Sequence, residues 1–157
     1  HSVPCEDDIE LGPLSEEVLT DLAPLAEHKD IVLNCSGGAL IIGSDTLLYR
    51  LVFNLVENAI RYSRPGSTVN VSICDNDSHV FLRVEDQGPG IPKQYRESIF
   101  QPFFRLDKSR SRAYGGAGLG LALVWEIAAL HGGTVEVEAS SENGATMLTT
   151  LPKRTAA

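Results

Sequence analysis

The sequence predicts an α/β fold: a two-layer sandwich in which a mixed, largely antiparallel sheet is covered on one face by helices. Segments 69–73, 80–85 and 134–139 alternate apolar and polar residues at period two. That pattern belongs to strands with one buried and one wet face. Segments 15–27, 46–62 and 119–131 instead place apolar residues at helical spacing. A chain of 157 residues suits one domain with a real core, taken as 1–157 with a short tail at 152–157.

The elements follow in order. Short strands are expected at 8–11, 31–34 and 39–42. Ser15 is expected to start the first helix, with Glu16 and Glu17 in its opening turn, where the helix dipole favours acids. The second helix is 46–62. In the strands, Val69, Val71 and Ile73, then Val80, Leu82 and Val84, then Val135, Val137 and Ala139, are the inward residues. The strand at 80–85 ends in Asp86-Gln87-Gly88-Pro89-Gly90, a sharp turn. Residues 92–116 show little regular pattern beyond a short helix near 93–100. A loop of that length in a small domain is usually functional or disordered. The third helix, 119–131, precedes a hairpin of 134–139 with Ala145–Leu151 across Ser141-Glu142-Asn143-Gly144.

Bulk properties exclude several classes. Net charge is −8, from 13 basic and 21 acidic residues, which argues against nucleic-acid or anionic-membrane binding. No apolar run approaches the roughly 18 residues of a membrane span. Residues 1–30 are acidic and broken by Pro4, Pro13 and Pro24, unlike a signal peptide. A start at His1 rather than Met is what a fragment or processed chain gives. Cys5, Cys35 and Cys74 are odd in number, widely spaced and without a Cys-x-x-Cys pattern, so packed, reduced thiols in a cytosolic setting are expected. The positive charge is uneven: Lys93, Arg96, Arg105, Lys108, Arg110 and Arg112 face only Glu97 and Asp107. That cluster is either a solvated loop or an arm that meets an anion.

Three constellations carry chemistry. On helix 46–62, at about 100° per residue, Asn54, Asn58, Arg61 and Tyr62 share the flank beside the apolar stripe of Leu48, Val52, Leu55, Val56 and Ala59. Two helical asparagines can be ordinary polar residues. Their oxygens can also serve a hard cation such as Mg²⁺, with Arg61 and Tyr62 toward phosphate. Asp86 at a buried strand end only accepts hydrogen bonds, which suits the 6-amino group of adenine and rejects the guanine carbonyl. Gly88 and Gly90 let backbone approach a base plane. The stretch Tyr114–Leu123, "YGGAGLGLAL", joins glycines to the start of an apolar helix. Counting six positions from Gly116 gives Leu121, and from Gly118 gives Leu123, so no dinucleotide fingerprint fits; no Gly-Lys-Ser/Thr exists for a P-loop. What remains is a glycine turn feeding a helix N-terminus, whose free N–H groups attract anions, or a lid hinge without a ligand. Leu119, Leu121 and Leu123 anchor that end.

The order of these stretches is more specific than any one of them. "NLVENAIRYS" (54–63), "DQGPGI" (86–91), "IFQPFFR" (99–105) and "GGAGLGLAL" (115–123) resemble the N, G1, F and G2 boxes of sensor histidine kinases, within the wider GHKL superfamily. The resemblance covers roughly 40–151. It implies the GHKL ATP-binding fold, ATP and Mg²⁺ as cofactors, and phosphoryl transfer to a histidine. By it, Asn58 coordinates Mg²⁺ with Asn54 assisting, Arg61 and Tyr62 contact phosphate, and Asp86 binds the adenine amino group. Gly88, Gly90, Ile91, Gly116, Gly118, Leu119, Gly120 and Leu121 shape the pocket. Residues 92–116 form an ATP lid, seated by Phe100, Phe103 and Phe104. Arg105 approaches the terminal phosphate, with Lys108 and Arg110 as weaker candidates.

Water-using members of the superfamily place a Glu four residues before the Mg²⁺-binding Asn. Here that position is Asn54, and an amide cannot act as general base. Phosphotransfer is therefore favoured over vigorous hydrolysis; a serine/threonine kinase, an ATPase and a nucleotide-gated binding module are the alternatives. Glu57 points off the proposed site face. His1, His28, His79 and His131 lack the family's phospho-acceptor context, and His28 and His131 read as surface or turn residues. The resemblance thus places the acceptor on a separate dimerisation hairpin, adds a response regulator as partner, and implies a cytoplasmic domain of a membrane-anchored sensor without membrane contact of its own.

Overall fold

The computed structural model describes residues 7–104 and 120–153. Strand β1 (Asp7–Glu10) runs directly into helix α1 (Leu11–His28). Strands β2 (Val32–Gly37) and β3 (Leu40–Gly43) precede helix α2 (Asp45–Tyr62). Strands β4 (Thr68–Asp75) and β5 (His79–Glu85) follow; then, beyond two short 3₁₀ turns at Lys93–Tyr95 and Ser98–Phe100, come helix α3 (Gly120–Leu130) and strands β6 (Thr134–Ser141) and β7 (Gly144–Pro152). The main sheet has the order β2-β4-β5-β7-β6. Only β2 and β4 are parallel; the other pairs are antiparallel. Strands β1 and β3 form a separate two-stranded antiparallel sheet, which the sequence pattern did not distinguish.

The period-two reading holds on β4 and β5: Val69, Val71, Ile73, Val80, Leu82 and Val84 are all buried. These meet Leu48, Val52, Leu55, Val56 and Ala59 of α2, Val18 and Leu22 of α1, and Val124 and Ile127 of α3 in one core. On β6 the reading holds through Val137, which is half-buried and packs on the core, and fails at Ala139. The register shifts between Val137 and Ala139, and Ala139 is exposed. A β-bulge re-aims every residue beyond it, and here it turns Ser140 toward the segment after β5.

Other expectations need correction. Helix α1 starts at Leu11, not Ser15. Its first turn is tied to the segment between β2 and β3 by Leu11 N–H to the Ala39 carbonyl at 3.0 Å, and Pro13 fits there because the opening N–H groups of a helix have no intrahelical acceptor. Ser15 is fully buried within the helix, and its Oγ has no hydrogen-bond partner among the described residues. The thiols are not both packed: Cys35 is half-buried and Cys74 exposed, each free. Burial and the neighbouring Glu16 push the Cys35 thiol up to about 11. His131 is no surface residue; it is 1% exposed. Cys5 lies outside the described residues.

Candidate functional site

Helix α2 is fixed at both ends. Ser44 caps its start, accepting from Leu47 N–H at 3.2 Å. The Ser44 N–H donates to His131 Nε2 at 3.1 Å, and His131 Nδ1 donates to the Ile127 carbonyl at 2.8 Å. The ring is therefore the neutral Nδ1–H tautomer. It ties the end of α3 to the start of α2. Gly43 leaves room for it: a Cβ there would lie 2.6 Å from the imidazole. At the far end of α2, Lys29 Nζ donates to the Ile60 carbonyl at 3.0 Å and to the Arg61 carbonyl.

Between these anchors, Asn54, Asn58, Arg61 and Tyr62 are all half-buried beside the buried stripe. The stripe is broader than the sequence reading, since Leu51 and Ile60 are buried too. Asn54 faces the start of α3: a Cβ on Gly120 would sit 3.9 Å from its Oδ1. Arg61 pairs with Glu57 at 3.7 Å, so the acid read as off the face holds a residue that lies on it.

Asp86 follows β5 and is 7% exposed. Its Oδ1 accepts from Gly88 N–H at 3.0 Å and Ala145 N–H at 3.1 Å. Its own N–H donates to the Ala145 carbonyl at 2.9 Å. Neither side-chain bond uses Oδ2, which keeps its capacity to accept. Burial raises the carboxyl above its ordinary value; the two amide bonds oppose this, and Glu85 adds to the rise.

The turn after Asp86 fits no residue but glycine at two places. A Cβ on Gly88 would lie 2.4 Å from the Tyr62 carbonyl, so the turn lies directly against the end of α2. Gly90 has φ +81°, and a Cβ there would meet the Ser141 carbonyl at 2.0 Å. Ile91 is held by Ser140, whose Oγ accepts from Ile91 N–H at 2.7 Å and donates to its carbonyl at 3.3 Å. Ser63 and Gln87 complete the frame: Ser63 Oγ accepts from Gln87 N–H at 3.1 Å, and Gln87 Oε1 accepts from Thr68 N–H at 2.6 Å.

The fold therefore joins the end of α2 to the Asp86–Gly88 turn through Tyr62, and the middle of α2 to the start of α3 through Asn54. Leu121 is half-buried and packs on the core, as an anchor should. Arg105, Lys108, Arg110, Gly116, Gly118 and Leu119, with the 105–116 part of the expected lid, lie outside the described residues. Of the lid's described aromatics, Phe100 is buried against Trp125, ring centroids 5.6 Å apart, and Phe104 packs on Tyr95 at 5.7 Å. Phe103 departs from expectation: it is 67% exposed, at φ +63°. Sequence reasoning missed Lys29, Ser63, Gln87 and Ser140. Each acts by bonding backbone of a distant segment, which leaves no local signature.

Residues 43–155 match the family model described as histidine kinase-, DNA gyrase B- and HSP90-like ATPase. The chain belongs to that family. Within it, the chain is an ATP-binding catalytic domain of the sensor histidine kinase type. It is 37% identical over 147 residues to the sensor-like histidine kinase SenX3 of Mycobacterium tuberculosis, covering 92% of this chain and 36% of the relative. It is 50% identical over 99 residues to the sensor protein RstB of Escherichia coli, covering 63% and 22%. Among solved structures, the mycobacterial sensor histidine kinase MprB superposes with a TM-score of 0.82 at 30% identity, covering 96% of this chain and 99% of that one. Full-length ShkA in complex with AMPPNP gives 0.85 at 28% identity, covering all of this chain and 33% of that one. The chain thus spans about a third of the length of the curated relatives it first matches. Among the described residues, no helix of this family member is long and apolar enough to cross a membrane.

Proposed function

We propose that this domain binds Mg·ATP and presents its γ-phosphoryl group to a histidine on a separate helical hairpin of the same full-length protein. The observation that carries the reading is Asp86: a nearly buried carboxylate with both described bonds on one oxygen, set against the end of the helix that bears Asn54, Asn58, Arg61 and Tyr62. Its Oδ2 would take the adenine amino group. Gly88, Gly90 and Ile91 would form the base wall, while Gly116, Gly118, Leu119, Gly120 and Leu121 would border the phosphates.

The donor set fits Mg²⁺ brought in by the nucleotide. Among the described residues there is no group of three or more His, Cys, Asp or Glu that could hold a resident ion. Neutral amide oxygens supplement phosphate ligands without competing charge. Asn58, assisted by Asn54, would hold the ion, which supplies charge neutralisation to the phosphates. Arg61 and Tyr62 would orient the phosphate chain, and Arg105, with Lys108, would meet its end.

In the transfer, the bond between the γ-phosphorus and the β,γ-bridging oxygen breaks. A phosphorus–nitrogen bond forms to the acceptor imidazole, and ADP leaves. Phosphoryl transfer asks mainly for positioning and charge stabilisation, which is what this residue set offers. Asn54 cannot activate water as a base, so hydrolysis should be slow. The partners would be the hairpin and a response regulator; the histidine kinase ThkA, 25% identical, was solved with its regulator TrrA. The location would be the cytoplasmic side of a membrane-anchored sensor.

Calorimetry with a non-hydrolysable ATP analogue and Mg²⁺ tests the first half. Tight binding by the parent and loss in Asp86→Ala support it; unchanged binding in that variant removes the adenine assignment. Adding the hairpin domain tests the second half. The phosphoprotein formed should be acid-labile, as phosphohistidine is; an acid-stable product would point to serine or threonine. Binding without any transfer would leave a nucleotide-gated module.

A further inference from the structure

The end of α2 is supported from outside the site. The turn between α1 and β2 lies against the loop between α2 and β4 through a row of bonds. Lys29 Nζ donates to the Ile60 and Arg61 carbonyls, Gly66 N–H donates to the Asp30 carbonyl at 2.6 Å, and Val32 N–H donates to the Ser67 carbonyl at 3.0 Å. Asp30 reaches this position through a left-handed turn, φ +61°. The supported loop in turn holds the Asp86 segment: Arg64 N–H donates to the Gln87 carbonyl at 3.4 Å, Ser63 Oγ and Thr68 N–H bond Gln87, and Gly88 rests on the Tyr62 carbonyl.

We infer that Lys29 is a positioning residue of the nucleotide site, its ammonium holding the last carbonyls of α2 so that Arg61, Tyr62 and the Asp86–Gly88 turn stand in register. The inference rests on the nucleotide reading above. A helix leaves its final carbonyls without intrahelical partners, and a cation there is favoured by the helix dipole. Here the cation comes from 31 and 32 positions earlier in the chain, so it fixes the helix relative to another element as well as capping it. Partial burial lowers its pKa, as expected of an ammonium packed against backbone. The two carbonyls it holds belong to the residue before Arg61 and to Arg61 itself. Movement of this end shifts the phosphate-side pair and the backstop of Gly88 together.

The test compares Lys29→Met, which keeps the stem and removes the ammonium, with Leu14→Ala, a core variant on the same helix matched for loss of melting temperature. Lys29→Met should weaken Mg·ADP binding by about tenfold, the scale of one charged hydrogen bond. Leu14→Ala should bind within about twofold of the parent, because a folded core variant keeps the site. Without nucleotide, amide exchange at Gln87 and Gly88 should quicken in Lys29→Met and not in Leu14→Ala. Binding within twofold of the parent with unchanged exchange in Lys29→Met would overturn the inference, as would equal weakening in both variants. If the parent itself does not bind Mg·ADP, the nucleotide reading falls, and exchange at Gln87 and Gly88 still decides whether Lys29 supports that turn.

Discussion

Two buried polar side chains, Asp86 and His131, show how differently the same fold uses hydrogen-bonding capacity. Asp86 is 7% exposed and His131 is 1% exposed. Each makes two side-chain bonds with backbone. His131 spends both ring nitrogens, one as donor and one as acceptor, and joins two helix ends. Asp86 spends one oxygen twice and keeps the other. Burial raises its pKa despite two amide donors, so the folded protein holds an incompletely compensated charge. His131 has its capacity used up by the scaffold, whereas the spare acceptor of Asp86 is what the proposed nucleotide site would use.

The largest effect should come from breaking the scaffold member. His131→Ala removes a packed ring and strands the Ser44 N–H, and should cost about 3 kcal/mol in urea unfolding. At a temperature where the variant is folded, Mg·ADP affinity should stay near the parent's. A specific loss of affinity would erase the contrast with Asp86.

Asp86→Asn should give the opposite pattern. Its amide oxygen can still accept from Gly88 and Ala145, but an NH₂ then opposes the adenine amino group. Affinity should fall by about 1.5–3 kcal/mol, or roughly 10- to 150-fold, measured by calorimetry. Melting temperature should hold or rise, because a buried charge has been removed.

The pH dependence sharpens the same point. Because the folded-state pKa of Asp86 is raised, the native state takes up its proton more readily than the unfolded chain. Its contribution to stability is greatest at acid pH and declines as pH rises from the ordinary carboxylate value through the raised one. Nucleotide affinity should run the other way, falling as pH is lowered through that window, since only the carboxylate offers Oδ2 as a pure acceptor. Titrations of the parent and Asp86→Asn, side by side, check both signs.

Ser44→Ala separates the two contacts made by one residue. The bond from its N–H to His131 remains, and only the cap to Leu47 is lost, so about 1 kcal/mol of stability should go, read from the unfolding midpoint. The smallest effect should be at Arg83, whose guanidinium bonds Glu138 at 2.7 and 2.8 Å on the wet sheet face. Arg83→Ala should cost at most about 1 kcal/mol and lose that difference in high salt.

Much of the fold was legible because its cause is local. Alternation on β4 and β5 and helical spacing on α2 follow from which side chains leave water. The grouping of Asn54, Asn58, Arg61 and Tyr62 follows from helix geometry alone. The misreadings arise where a distant segment overrides a local preference. Ser15 looks like a cap, yet β1 leads straight into the helix and the Ala39 carbonyl takes its first N–H. Ala139 alternates correctly in the sequence, yet a bulge moves it outward. His131 beside Gly132 does sit in a turn, but a buried one, because α2 begins against its ring.

The site divides the same way. Residue type and order along the chain were enough to determine the sheet-and-helix class, the amide-bearing helix face and the acid at the end of β5, because each depends on neighbours a few positions away. Only tertiary structure decided that Tyr62 backs Gly88, that Ala145 occupies one Asp86 oxygen and leaves the other, and that Lys29 holds the end of α2. Those contacts link segments that meet only after the core has closed, so their geometry is set by strand register and helix packing.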